Sequence, residues 1–288
     1  MYRIAILGCE NSHANAFLGL VAEGKYPDVT VAGIYSAEAE AAQKLHEKYG
    51  TYVMQTSDEL VGKVDGIMVT ARDGACHYPF AKPYLPTGIP MFIDKPITCD
   101  GDEAVEFMRE AKKYGVRLCG GSSCMYLKET QELAKAVAAG EFGRINGGNV
   151  CAPINLNNPY SGFYFYTQHL VQIMTTIFGG DVESVVASVH APDASFIAKY
   201  RDYDITGSFP GEGYYYNAVV YGSKGMRAQE LNFSKDAYHF EMDDMDALLK
   251  GGPMHQTYDE FIRPVFILNA LKKSSETGKW EPVVVKNV

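Results

Sequence analysis

Through the first 122 positions, short runs of uninterrupted apolar residues alternate with amphipathic stretches. RIAILG, VTVAGIYS and VDGIMVTA each read as a strand, and the helical patterns HANAFLGLVAEG and AEAEAAQKLHEKYG follow the first two. HYPFAKPYLPTG, PMFIDKP, GDEAVEFMREAKKYG and VRLCGGSS continue the series. Strands that are apolar along their whole length belong to a parallel sheet covered on both faces, and right-handed crossovers then predict a doubly wound α/β (Rossmann) fold. From Ser123 the rhythm changes. One more helix, MYLKETQELAKAVAAGEFG, precedes longer segments rich in aromatic and turn residues: INGGNVCAPINLNNPYSGFYFY, VESVVASVHAP and GEGYYYNAVVYGSKGMRAQEL. The expectation is a dinucleotide-binding domain over 1–122, then an α+β domain over 123–288 with an open, mostly antiparallel sheet.

The turn after the first strand, GCENSHA, lies where such folds hold a dinucleotide pyrophosphate against a helix N-terminus. That site normally reads G-x-G-x-x-G, and only Gly8 matches; Glu10 and His13 stand at the second and third glycine positions. Gly8 permits the tight turn, and Asn11 and Ser12 are strong N-cap types that leave backbone N–H groups directed outward. The positive end of the helix dipole disfavours a charged His13, which is expected to donate to a phosphate oxygen as a neutral imidazole. A Glu10 carboxylate aimed at a pyrophosphate would be repelled, so it must face solvent or pair elsewhere. The second strand ends in Tyr35 and Ser36, without the acidic residue that grips the ribose diol of NAD. Ser36 could donate to a 2'-phosphate, yet only Lys44 follows nearby, and NAD and NADP both stay open. Thr70 and Arg72, at the close of the third strand, join the cofactor side.

Composition narrows the class of partner. A chain of 288 residues with 47% hydrophobic content accommodates two packed domains. The net charge of -9, from 26 basic against 35 acidic residues, disfavours nucleic acid and anionic membrane and favours a small-molecule partner. The six cysteines, at 9, 76, 99, 119, 124 and 151, form no C-x-x-C pair and have no histidine at finger spacing, so reduced thiols and no metal site are expected. MYRIAILGC is too short an apolar run for a signal peptide, and no span of about 20 apolar residues occurs. A cytoplasmic location is the default expectation.

At FIDKPIT a strand closes on Asp94-Lys95-Pro96, and the chain there resembles a known family. YPFAKPYLPTGIPMFIDKPIT, AAGEFGRI, QHLVQIMTTIFGG and RPVFILNALKKSSETGKW together resemble the Gfo/Idh/MocA oxidoreductases, the glucose-fructose oxidoreductase and inositol dehydrogenase superfamily, over nearly the whole chain. The resemblance implies an NAD(P)-binding Rossmann domain, and a C-terminal domain that presents substrate and often mediates homo-oligomerisation. The family's E-K-P lysine lies near the nicotinamide ribose and the reacting hydroxyl, which makes Lys95 the catalytic candidate, with Asp94 a carbon shorter than the usual glutamate. Independently, a lysine at the carboxyl end of a parallel strand points into the ligand crevice, where an oxidised nicotinamide would favour a lowered pKa. Pro96 fixes the turn behind it. The family's D-x-G-x-H histidine carries over as His169, the proton acceptor, although Phe165 and Thr167 replace the aspartate and glycine. His77 falls at the histidine after T-P-N-x-x-H, either beside the cofactor or as a packing residue.

On the substrate side, PYSGFYFY and GEGYYYN combine ring faces with hydroxyls, which suits polyols. Tyr160, Tyr164, Tyr166, Gln168, Tyr214 and Tyr216 are the candidates, and strand alternation would turn Tyr215 away from Tyr214 and Tyr216. The resulting expectation is hydride transfer between nicotinamide and a sugar, polyol or related hydroxy compound. Two rivals are a lyase, glycosidase or epimerase that recycles its NAD internally, and a non-catalytic homologue that binds a nucleotide or ligand.

Overall fold

A computed structural model describes residues 1–233 and 236–288. The first sheet is built from β1 (Tyr2–Leu7), β2 (Val29–Tyr35), β3 (Gly66–Val69), β4 (Met91–Asp94) and β5 (Leu118–Gly121). They run in the order β2-β1-β3-β4-β5, all parallel, with Val53 adding an isolated parallel bridge to Ile34 at the β2 edge. The helices between them are α1 (Ser12–Ala22), α2 (Ala39–Tyr49), α3 (His77–Ala81) and α4 (Gly101–Lys113). Alternation along β1 divides the core: Ile4 and Ile6 pack with Phe17 and Leu45 on one face, while Ala5 and Leu7 pack with Tyr78 and Phe107 on the other. Both faces are covered, which is why these strands carry no polar alternation.

The remainder comprises α5 (Lys128–Ala138), β6 (Ile145–Cys151), α6 (Phe163–Phe178), β7 (Ser184–His190), β8 (Asp193–Lys199), β9 (Asp204–Phe209), β10 (Asn217–Gly222), β11 (Gly225–Glu230), α7 (Ala237–Leu249), α8 (Tyr258–Thr277) and β12 (Glu281–Pro282). Its seven-stranded sheet has the order β11-β10-β6-β9-β8-β7-β12 and is antiparallel except for the β6–β9 pair. One face lies on α6 and the second half of α8; the other is open, so that β8 alternates exposed and buried residues from Asp193 to Lys199. Among the described residues, no helix is long and apolar enough to cross a membrane.

The packing crosses position 122. Met242, Met245, Leu248 and Leu249 of α7 join the Phe17 cluster, and Phe261, Ile262, Val265 and Phe266 of α8 join the Phe107 cluster. Two late helices therefore complete the first sheet's cover and lock the two sheets into one body. Residues 211–216 are irregular rather than strand, so the alternation expected of the tyrosine run is absent: Tyr214 and Tyr215 are both exposed, and Tyr216 is buried.

Candidate active site

The chain leaves β1 toward β2 on one side and reaches β3 on the other, so the crevice at the carboxyl ends of β1 and β3 is the topological switch point. Gly8 opens the turn there at φ +92, and a Cβ on it would come within 2.2 Å of the Ala71 nitrogen. Only glycine lets the two loops approach so closely. The Gly8 N–H donates to the Tyr35 carbonyl at 2.7 Å, and the Thr70 hydroxyl donates to the Gly8 carbonyl at 2.5 Å. Thr70 is fully buried in this role, which corrects its assignment as a cofactor contact. We expect Gly8→Ala to lower stability by at least about 2 kcal/mol, read as a fall of several degrees in melting temperature.

Asn11 caps α1, accepting from the His13 N–H at 2.7 Å, and its amide donates to Asp94 Oδ2 at 2.9 Å. Asp94 is fully buried and also accepts from the Lys95 N–H at 2.7 Å, so it anchors the turn that bears Lys95 instead of facing a ligand. His13 Nδ1 lies 3.3 Å from Asp94 Oδ2, and its Nε2 lies 3.4 Å from Oε2 of the fully buried Glu241 on α7. These two acidic neighbours work against the neutral imidazole expected from the helix dipole. Burial alone would lower the His13 pKa, but the carboxylates of Asp94 and Glu241 outweigh it and raise it. Asp94 shows the converse balance: burial pushes its carboxyl up, while His13 and Lys95 hold it below the ordinary carboxylate value. Glu241 is raised by burial in spite of His13.

Lys95 projects from the end of β4 into a cleft of about 390 Å³ between the two sheets, and His169 on α6 lines the same cleft. The Lys95 ammonium sits 4.0 Å from the centre of the Phe165 ring, so the phenylalanine at the family's aspartate position holds the lysine by a cation–π contact. His169 Nδ1 lies 2.7 Å from the Ser122 hydroxyl at the end of β5, with Cys124 Sγ at 3.5 Å. Burial, followed by the nearby Lys95 charge, depresses the His169 pKa to about 3. Ser122 therefore does the orienting that an acidic partner would do elsewhere, and it escaped sequence reading because the pairing spans 47 positions. We expect Ser122→Ala to lower kcat about ten- to a hundredfold by releasing the ring, with nucleotide affinity unchanged in a binding titration.

Arg72, Tyr160, Tyr166 and Tyr214 line the cleft with Asn11, Ser12 and His13. Asn158, Phe165, Phe233 and Tyr238 also line it without having been anticipated from sequence; the Tyr238 hydroxyl stands 3.0 Å from that of Ser12. Other candidates lie behind the wall. His77 is fully buried, with Nδ1 2.7 Å from the Pro96 carbonyl and Nε2 2.8 Å from that of Ala71, so it clamps the loops after β3 and β4 as a packing residue and does not line the cleft. Pro96 shares that buried clamp. Gln168 is fully buried, donating to Gln172 Oε1 at 3.0 Å, and does not line the cleft. Tyr164 packs on the second core near Asn269, and Tyr216 is buried edge-on behind His169. Tyr164 and Gln168 share one cause: along a helix neighbouring residues point in different directions, and sequence proximity to His169 did not place them on its open side.

At the β2 edge, Glu10 pairs rather than facing solvent. Its Oε2 accepts from the Ser36 hydroxyl at 2.6 Å and its Oε1 from the Arg72 N–H at 2.9 Å. Ser36 thus gives its proton to Glu10, which removes the donor that a 2'-phosphate could have used. Beyond it lies a second groove of about 720 Å³, walled by Tyr35, Ser36, Val53 and Met54. A strap from the second domain spans the crevice: the Tyr160 hydroxyl donates to Glu38 Oε1 at 2.7 Å, its ring lies under the Arg72 guanidinium at 5.2 Å, and the Ser161 hydroxyl donates to the Asp73 carboxylate. The two clefts flank the Glu10 bridge, one walled by its partner Ser36 and the other by its partner Arg72, and so suit an elongated two-ended cofactor. The close Gly8–Ala71 approach supplies the tight turn that a dinucleotide needs. Among the described residues no cluster of His, Cys, Asp and Glu could hold a metal ion.

Residues 2–122 match the model of GFO_IDH_MocA, the oxidoreductase family with an NAD-binding Rossmann fold. No curated protein matches the sequence. Among solved structures, the myo-inositol dehydrogenase of Corynebacterium glutamicum superposes with a TM-score of 0.81 at 19% identity, covering 99% of each chain. The scyllo-inositol dehydrogenase of Lactobacillus casei, with bound NAD(H) and scyllo-inositol, gives 0.84 at 14% identity over 98% of this chain and 99% of that one. The WlbA dehydrogenase of Chromobacterium violaceum, in complex with NADH and UDP-GlcNAcA, gives 0.83 at 18% identity over 99% of this chain and 97% of that one. The shared fold thus extends over both domains.

Proposed function

We propose, from the match of residues 2–122 to the NAD-binding oxidoreductase model of the Gfo/Idh/MocA family, that the protein is an NAD(P)-dependent dehydrogenase of a sugar, polyol or related hydroxy compound. The observation that carries this reading is the convergence of Lys95 and His169, from β4 and α6, in one cleft at the switch point. A bound nicotinamide supplies the hydride acceptor or donor. The Lys95 ammonium donates to the reacting oxygen and stabilises the negative charge that grows there as its proton leaves. His169 accepts that proton; its depressed pKa keeps the ring unprotonated beforehand, so a free imidazole always meets the hydroxyl. The rings of Tyr160, Tyr166 and Tyr214 offer faces to C–H groups and hydroxyls to substrate oxygens. The solved relatives bound to scyllo-inositol and UDP-GlcNAcA support substrates of that chemistry. The open outer face of the second sheet, with Val186, Ile197, Val219 and Tyr221, is where we place a homo-oligomer contact.

The test is titration of the pure protein with NADH and NADPH, followed by a panel of polyols and sugars read by formation of reduced nicotinamide. Saturable nucleotide binding with substrate-dependent reduction is the expected result. A protein that binds neither nucleotide has no hydride acceptor, and the reading falls.

A further inference from the structure

Glu10 occupies a position that the simple crevice does not explain. It stands where a bare glycine is usual, and its two oxygens bridge the ends of two different strands: Ser36 after β2 and Arg72 after β3. The groove walled by Tyr35, Ser36, Val53 and Met54 lies on one side of this bridge, and the cleft of Lys95 and Arg72 lies on the other. A dinucleotide laid across both would pass the Ser36–Glu10–Arg72 bridge, with a ribose at the β2 end. Strand β2 itself brings no acidic side chain to that spot. We propose that Glu10 supplies the missing carboxylate from the β1 turn, accepting from the ribose diol and excluding a 2'-phosphate, so that it sets the preference for NAD over NADP.

Three features of the site support the exclusion. The single hydroxyl proton of Ser36 goes to Glu10, and the Ser36 oxygen already accepts from the Glu38 N–H at 3.1 Å, which leaves Ser36 nothing to donate to a phosphate. The charged groups around the groove are mostly acidic, with Glu40 and Glu47 against Lys44 on its wall and Glu38 beside it under Tyr160. A dianionic 2'-phosphate there would meet the Glu10 charge in a partly buried setting, where like charges are poorly screened. A neutral diol, by contrast, offers two donors to a carboxylate that accepts readily at both oxygens.

The inference rests on the dehydrogenase reading in needing a bound dinucleotide, and its test separates the two. Dissociation constants for NADH and NADPH are measured by calorimetry on the wild type, Glu10→Gln and Glu10→Asp, with melting temperatures confirming that each variant folds. The wild type should favour NADH, and Glu10→Gln should shrink the NADPH-to-NADH ratio of dissociation constants about tenfold, mainly by tightening NADPH. Glu10→Asp, which keeps the charge, should keep the rejection of NADPH. Equal changes for both nucleotides in Glu10→Gln, or an unchanged ratio, would overturn the proposal, since the carboxylate would then act on the dinucleotide as a whole. A wild type that binds NADPH as well as NADH also overturns it while leaving the dehydrogenase reading intact. A wild type that binds neither removes that reading itself.

Discussion

Lys95→Met is expected to lose about three orders of magnitude in kcat, in the range assigned to a group that handles charge or protons at the reacting atoms, while NADH affinity changes by only a few-fold. Methionine keeps the length and the apolar contact with Phe165, so the loss isolates the ammonium rather than the packing. The buried Asp94 that anchors this turn accepts from the backbone N–H of residue 95, which methionine retains. Lys95→Arg should rescue little, because a planar guanidinium cannot occupy the point-charge position over the ring with the same reach. A second readout belongs to the same variant. Lys95 is one of the two main groups holding the His169 pKa down, after burial itself, so removing its charge should move the imidazole titration upward in an NMR pH series. Unchanged turnover in Lys95→Met would end the assignment; unchanged His169 titration would place the two side chains too far apart to act on one hydroxyl.

The parts of this site that were legible in the sequence are those fixed by local rules. Gly8, Asn11 and Lys95 stand at strand ends and a helix cap, where a few neighbouring residues determine both backbone and direction. The parallel sheet was legible for the same reason, since β3, β4 and β5 are apolar without interruption. His169 needed the family resemblance, because a histidine on a buried helix has no local mark of chemistry. What stayed hidden depends on contacts between distant segments. The Ser12–Tyr238 pair spans 226 positions, and Glu241 reaches His13 only because α7 returns to cover α1. The expected neutral His13 followed from the helix dipole, whereas the buried Asp94 and Glu241 that raise its pKa reach it from β4 and α7. Glu10 reads from sequence as a repulsive intrusion, and the donors that accommodate it, Ser36 and the Arg72 N–H, come from two other strands.

Replacing His169 by Gln is the second large effect, and it carries a sign in pH as well as a size. We expect kcat to fall about a hundred- to a thousandfold, with nucleotide binding retained, because glutamine can hold a hydroxyl but cannot take its proton. In the wild type the folded His169 pKa near 3 lies below the ordinary value of 6.5, so the unfolded chain binds this proton more readily than the folded one. The contribution to stability is therefore complete above 6.5 and is lost progressively as pH falls toward about 3. His77, also lowered by burial, acts in the same direction, whereas His13, whose pKa is raised, contributes most below 6.5 and loses that contribution as pH rises through its folded value. Chemical-denaturation curves across this window should show a shallower acid decline in His169→Gln than in the wild type. A rate loss accompanied by an unaltered acid decline would mean that the imidazole is not held unprotonated by its surroundings. The free base at residue 169 would then be a matter of solvent pH alone, and the activity of the wild type should fall with a midpoint near 6.5 instead of persisting well below it.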